Sequence, residues 1–179
     1  MVVSQDVYGG TYRVLTTLFR RWGLEVTFVD SSVPEQVEKA VRRNTRALYV
    51  ETPSNPLLKI TDLKAVVEIA RRHGLLTIID NTFMTPYLQR PLALGFDIVI
   101  HSATKFLGGH SDLIAGLVVT ADEKTGKKLK FIQNAFGAIL GPPGLLVAAP
   151  RDENLSGARG SSAGGSSEAG SLVEGTKRD

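Results

Sequence analysis

An α/β fold with a parallel-rich, doubly wound sheet is predicted by three features of the sequence. Apolar runs of strand length alternate with segments of helical period from Val2 to Asn134. Two central runs, Leu75-Leu76-Thr77-Ile78-Ile79 and Phe96-Asp97-Ile98-Val99-Ile100, are largely apolar on both faces, as strands covered by helices above and below are. Chemically capable residues stand directly after those runs: Asp80 after the first and His101-Ser102-Ala103-Thr104-Lys105 after the second. Ligands bind at such carboxyl ends in open α/β sheets.

Val2-Val3 reads as a strand stub, and Gly9-Gly10-Thr11 opens a helix to about Trp22, with Val14, Leu15, Leu18 and Phe19 at helical spacing. Leu24 to Val29 is strand-like. Ser32 and Glu35 have capping-box spacing and start a short helix over Val37 to Val41. Arg46 to Glu51 is the next strand, followed by the proline-punctuated loop Thr52-Pro53-Ser54-Asn55-Pro56. Thr61 is expected to cap a helix whose buried stripe is Leu63, Val66, Val67 and Ala70. That helix closes with Arg71, Arg72 and His73 at the negative end of its dipole and Gly74 beyond. Leu113 to Val119 is a further strand and Asp122 to Asn134 a helix.

The organised part spans 1–143. From 144 to 179 the sequence turns to Gly-Ser-Ala clusters such as Gly160-Ser161-Ser162-Ala163-Gly164-Gly165. No aromatic residue follows Phe136, so this tail is expected to be disordered.

Composition narrows the function classes. The 179 residues contain no cysteine, which rules out disulfides, thiolate nucleophiles and zinc–thiolate sites and makes cytoplasmic residence the expectation. No run approaches the roughly 20 apolar residues of a membrane helix, and Met1 to Asp6 lacks the basic start of a secretory leader. The net charge of +3 is scattered, apart from Lys124, Lys127, Lys128 and Lys130 on one helical stretch. That stretch reads as a solvated face, and nucleic acid is not an expected partner.

Lys105 and Asp80 carry the chemistry. A charge just past a buried strand needs a partner, which points to a ligand between the two. A lysine desolvated at such a place can act as a Schiff-base nucleophile, and Ser102 and Thr104 flank it with hydroxyls able to hold phosphate oxygens. Asp80 suits the protonated ring nitrogen of pyridoxal phosphate. Taken singly, a strand-end acid or lysine is more often half of a surface ion pair; the combination reverses those odds.

The segments Asp6-Val7-Tyr8-Gly9-Gly10-Thr11-Tyr12-Arg13, Glu51-Thr52-Pro53-Ser54-Asn55-Pro56, Asp80-Asn81-Thr82-Phe83-Met84-Thr85-Pro86-Tyr87, Gln89-Arg90-Pro91-Leu92 and His101 through Asp112 resemble the Cys/Met-metabolism family of pyridoxal-phosphate enzymes. Its members include cystathionine γ-lyase, cystathionine β-lyase, cystathionine γ-synthase and methionine γ-lyase. The resemblance runs in order from residue 2 to about 142 and implies the large domain of the aspartate-aminotransferase-like fold. It implies that Lys105 is the Schiff-base lysine and that Asp80 pairs with the pyridine nitrogen. Ser102 and Thr104 would hold the phosphate, and Asn55 the ring hydroxyl. Tyr8 would stack on the ring and move protons. It further implies a small amino-acid substrate and a homotetramer built from two active dimers. Tyr8 to Tyr12 and Phe106 to Asp112 look closer to the cystathionine lyases than to methionine γ-lyase, with a γ-synthase-type transferase or an inactive cofactor-binding fragment as alternatives. The family's glycine-containing phosphate loop, N-terminal arm and C-terminal domain have no counterpart in this sequence, so a truncated or frameshifted product is expected.

Other motifs are weaker. Ser102-x-x-Lys105 and Lys124-Thr125-Gly126 match two elements of penicillin-binding acyl enzymes, but no S-D-N occurs and K-T-G falls in a charged helical stretch. His101, His110 and Asp112 lack a metal-ligand spacing and read as residues lining the cofactor loop.

Overall fold

A computed structural model describes residues 1–141 and 144. The expected tail at 144–179 therefore lies outside the described residues, except for Gly144. Six strands form one sheet: β1 (Val2–Ser4), β2 (Thr27–Val29), β3 (Ala47–Glu51), β4 (Leu76–Asp80), β5 (Ile98–Ser102) and β6 (Gly116–Val119), in the order β2-β1-β3-β4-β5-β6. The first five are parallel, and β6 runs antiparallel to β5 on the edge.

The order reverses direction between β1 and β3. From β1 the chain moves outward to β2, then crosses back to β3 and proceeds the other way to β4 and β5. Right-handed crossovers travelling in opposite directions put their helices on opposite faces. Helix α1 (Gly9–Arg13) continues through a π turn (Val14–Leu18) and a 3₁₀ turn (Phe19–Trp22) and lies on one face. There Leu15 and Val7 pack with Val3 and Tyr49. Helices α2 (Pro34–Ala40), α3 (Leu63–His73) and α5 (Pro91–Leu94) lie on the other, over Val2, Leu48, Val50, Ile79 and Val99. Alternating strand residues feed the two cores, as the pleat requires. Leu48, Ile79 and Val66 are fully buried, each contributing about 1.5–3 kcal/mol of burial.

Local signals explain most element ends, with two corrections. The predicted Ser32–Glu35 capping box does not form. Helix α2 starts at Pro34 with Val33 at the N-cap, and the Ser32 hydroxyl and amide both donate to Asp30 Oδ1, a local turn that outcompetes the cap. Thr61 does not cap α3. Asp62 does, accepting from the Lys64 and Ala65 amides at 2.9 and 3.1 Å. Thr61 is instead buried against Ser31, 2.8 Å away, and donates its amide to Thr52 Oγ1 at 3.0 Å. At its other end α3 stops at Gly74, whose φ of +62° is the left-handed C-terminal turn expected there. Arg72 and His73 in its last turn both reach Glu38 of α2.

Several predicted strands are shorter than their apolar runs. β2 pairs only over Thr27–Val29 because its partner β1 runs only from Val2 to Ser4. β6 begins at Gly116 because Leu113 is buried beneath the preceding turn and Ala115 is bonded to Thr104. Helix α6 (Glu123–Phe136) is capped by Asp122, and its lysines lie on an exposed face as expected. A short helix, α4 (Thr85–Leu88), and α5 fill the segment between β4 and β5. No helix among the described residues is long and apolar enough to cross a membrane.

Candidate active site

The reversal of strand order opens a crevice at the carboxyl ends of β1 and β3, where α/β sheets bind ligands. Residues in register on neighbouring parallel strands share a face. Glu51 stands opposite Asp80, and Asp80 opposite Ile100, so Glu51, Asp80 and Ser102 all project on the α1 side.

Asp80 is half-buried and firmly held. Its Oδ1 accepts from the Thr82 amide at 3.0 Å and from the Thr82 hydroxyl at 2.5 Å. The same hydroxyl accepts from the Ser102 amide at 2.8 Å, so Thr82 joins the ends of β4 and β5. Below it, on the same face of the sheet, lies the buried Tyr49. Burial, then the Asp80 charge, raises its phenol far above the ordinary range, so it stays neutral.

Tyr8 precedes the first residue of α1. Its amide donates to Glu51 Oε2 at 2.9 Å. Its ring is more than half exposed and folds over Gly10, where a Cβ would meet a ring carbon at 2.3 Å. Glu51 is buried, and that burial, reinforced by the charges of Asp80 and Asp6, pushes its carboxyl up to about 7.

Asn55 is half-buried on the loop that leaves β3. Asp6 fixes this loop across the crevice, accepting from the Ser54 hydroxyl and from the Leu57 amide at 3.0 Å. Ser102 ends β5. Beyond it the chain turns, with the Lys105 amide donating to the Ser102 carbonyl at 3.1 Å and the Gly109 amide to the Lys105 carbonyl at 2.8 Å. Gly108 makes this turn possible, since a Cβ there would lie 2.5 Å from the Ala103 carbonyl oxygen.

Two expectations change. Lys105, expected to be desolvated at the strand end, is exposed, because β5 stops at Ser102 and the lysine rides on the turn above it. The Thr104 hydroxyl is engaged with the main chain of Ala115, at 2.9 and 3.3 Å, and ties the turn to the start of β6. His101 faces away from the crevice. It is buried with Nδ1 unpartnered, and burial, opposed by the Asp80 charge, lowers its pKa and keeps it neutral. His110 Nδ1 lies 3.2 Å from the Gly108 carbonyl oxygen.

Sequence reasoning assigned no role to Thr82, Glu51, Tyr49 or Asn81. Asn81 is fully buried and fastens the segment after β4, donating to the carbonyls of Thr85 and Gln89 at 3.1 and 3.0 Å. A polar residue directly after an apolar run was the available signal for Asn81 and Thr82. The roles of Glu51 and Tyr49 depend on strand register, which no local pattern carries.

The donor set fits pyridoxal phosphate. Asp6, Glu51 and Asp80 converge on the crevice with no cation of the described residues paired to any of them, an arrangement that calls for a positive group such as a protonated ring nitrogen. An exposed aromatic ring, a strand-end hydroxyl and an exposed lysine stand around it.

Comparison with known proteins agrees with this chemistry. The family model for Cys/Met metabolism PLP-dependent enzymes matches residues 1–147. Cystathionine gamma-lyase of Bacillus subtilis is 61% identical over 142 residues, covering 79% of this chain and 38% of the relative. Cystathionine beta-lyase MetC of the same organism is 57% identical over 141 residues, covering 79% and 36%. The crystal structure of cystathionine gamma-lyase from Lactobacillus plantarum complexed with L-serine superposes with a TM-score of 0.84 at 48% identity, over 87% of this chain and 41% of that one. The chain thus spans well under half the length of the curated relatives it matches.

Proposed function

The chain belongs to the Cys/Met metabolism PLP-dependent enzymes, and from that premise we propose that it forms the cofactor-binding part of a carbon–sulfur lyase acting on cystathionine or a related sulfur amino acid. The observation that carries this reading is the position of Asp80, held by Thr82, beside the strand that leads into Lys105. Bound pyridoxal phosphate supplies an electron sink for charge developing at the substrate α-carbon.

The chain's own residues have distinct tasks. Asp80 holds a proton on the ring nitrogen by placing a fixed negative charge against it. The Lys105 amine would hold the cofactor and, as a free amine, would take a proton from the substrate and return it. Its exposure leaves it free to swing between those tasks. Tyr8 offers its ring face to the cofactor and its phenol as a second proton carrier. The Asn55 amide serves the ring hydroxyl and the Ser102 hydroxyl the phosphate, while Thr104, its hydroxyl committed to the Ala115 main chain, holds the turn that carries Lys105. A homotetramer of cytoplasmic residence accompanies this reading, in keeping with the family.

The test is to add pyridoxal phosphate to the purified 179-residue chain. A visible absorption band, lost on borohydride reduction, with the cofactor mass mapped to Lys105, is the expected result. A band that persists in Lys105→Ala, or none in the unaltered chain, overturns it. Cystathionine supplied to the loaded protein then separates elimination, which releases a keto acid, ammonia and a thiol, from synthase-type replacement and from an inert binding fragment.

A further inference from the structure

Glu51 is a buried carboxyl that none of the roles above uses. It is the last residue of β3, at the crevice where strand order reverses, and only 6% of it is exposed. Among the described residues no lysine, arginine or histidine pairs with it. The groups facing it are Asp80 from β4, Asp6 from the β1–α1 loop, Tyr49 two residues earlier on its own strand, and the main chain of Tyr8. His101 on β5 adds no charge, since burial keeps it neutral.

A glutamine there would accept the same hydrogen bond from Tyr8 without the penalty of a buried acid beside two others. The ionisable group therefore needs a reason. A carboxylate binds an N–H about twice as strongly as a neutral acceptor does, so the Tyr8 anchor tightens when Glu51 loses its proton. A positive group arriving at Asp80 offsets that residue's charge and lowers the cost of ionising Glu51.

We propose that Glu51 is a positioning residue that clamps the Tyr8 main chain at the mouth of the crevice, and that a cation held by Asp80 tightens the clamp by favouring the carboxylate. The Tyr8 ring, folded over Gly10, is thereby set against the cofactor in step with the cofactor's arrival. The coupling rests on the assignment of Asp80 and Tyr8 proposed above; the clamp rests on the hydrogen bond alone. Because coupling is reciprocal, ionised Glu51 also raises affinity for the cofactor.

Amide hydrogen exchange at Tyr8, with Val66 in α3 as an internal control for folding, tests both parts. In the unloaded chain Tyr8 protection, corrected for intrinsic exchange, should rise from about pH 6 to about pH 8. E51Q should keep protection but lose that rise, and E51A should lose protection about tenfold with Val66 unchanged. Pyridoxal phosphate should raise Tyr8 protection further in the unaltered chain and leave E51Q flat. Equal protection in E51A and the unaltered chain, or equal pH profiles in E51Q and the unaltered chain, overturns the clamp. If no absorption band forms with pyridoxal phosphate, the cofactor reading fails and the coupling with it, while the clamp is still decided by the unloaded chain.

Discussion

Glu51 and Asp80 stand opposite one another in the register of β3 and β4, two carboxyls on one sheet face with different partners. Asp80 is tied to Thr82 at the strand end, and Glu51 to the Tyr8 amide. Parallel pairing places them a strand spacing apart, about 4.8 Å, where each charge opposes the other. This part of the sheet is destabilised by its own ionisation and made useful by it.

The first prediction concerns pH. Folding raises the Glu51 carboxyl from 4.5 to about 7, so the folded state keeps a proton that the unfolded chain releases earlier. Its contribution is full below about pH 4.5 and is lost as pH rises to about 7, a loss on the order of 3 kcal/mol. E51Q should remove that slope. Urea denaturation across this range measures it.

Thr82→Val removes the hydroxyl that bonds Asp80 and leaves the half-buried Ser102 amide without that acceptor. The expected loss is about 1–3 kcal/mol of stability. Cofactor affinity should fall more than the stability change accounts for, because Asp80 loses its fixed orientation. Thr82→Ser should restore most of both; a binding titration on the two variants checks this.

Gly108→Ala forces a Cβ against the Ala103 carbonyl, a main-chain contact that no side-chain rotation relieves. The turn carrying Lys105 must open, at about 1–3 kcal/mol. The cofactor absorption band should be lost or weakened while the thermal transition of the sheet core shifts by only a few degrees.

The helix cap separates two adjacent residues. Asp62→Ala should cost about 1 kcal/mol, the usual value for a lost N-cap, and Asp62→Ser should recover it. Thr61→Ser keeps the hydroxyl that meets Ser31 and should be nearly neutral. Denaturant midpoints of the three variants rank them directly.

Much of this was legible in the residues. The apolar runs ending in Glu51, Asp80 and Ser102 mark three adjacent strands, and the polar residues following them mark the crevice. Asp62 and Thr61 have similar capping preferences, and only the buried contact with Ser31 settles which residue turns inward. The capping box at Ser32 failed for the same kind of reason, since Asp30 lay closer than the helix start.

The chain read alone thus specified an α/β sheet, its family and the residue types gathered for the cofactor, because periodicity and short motifs are local properties. The folded chain decided which carboxyls meet. Strand order β2-β1-β3-β4-β5-β6 and the β3–β4 register bring Glu51, Asp80 and Tyr8 together from segments far apart in sequence. It also decided that Lys105 stands exposed on a turn, since burial depends on where β5 stops pairing and what packs beside it. Burial and long-range charge are sums over neighbours from several strands, and no single stretch of sequence contains those neighbours.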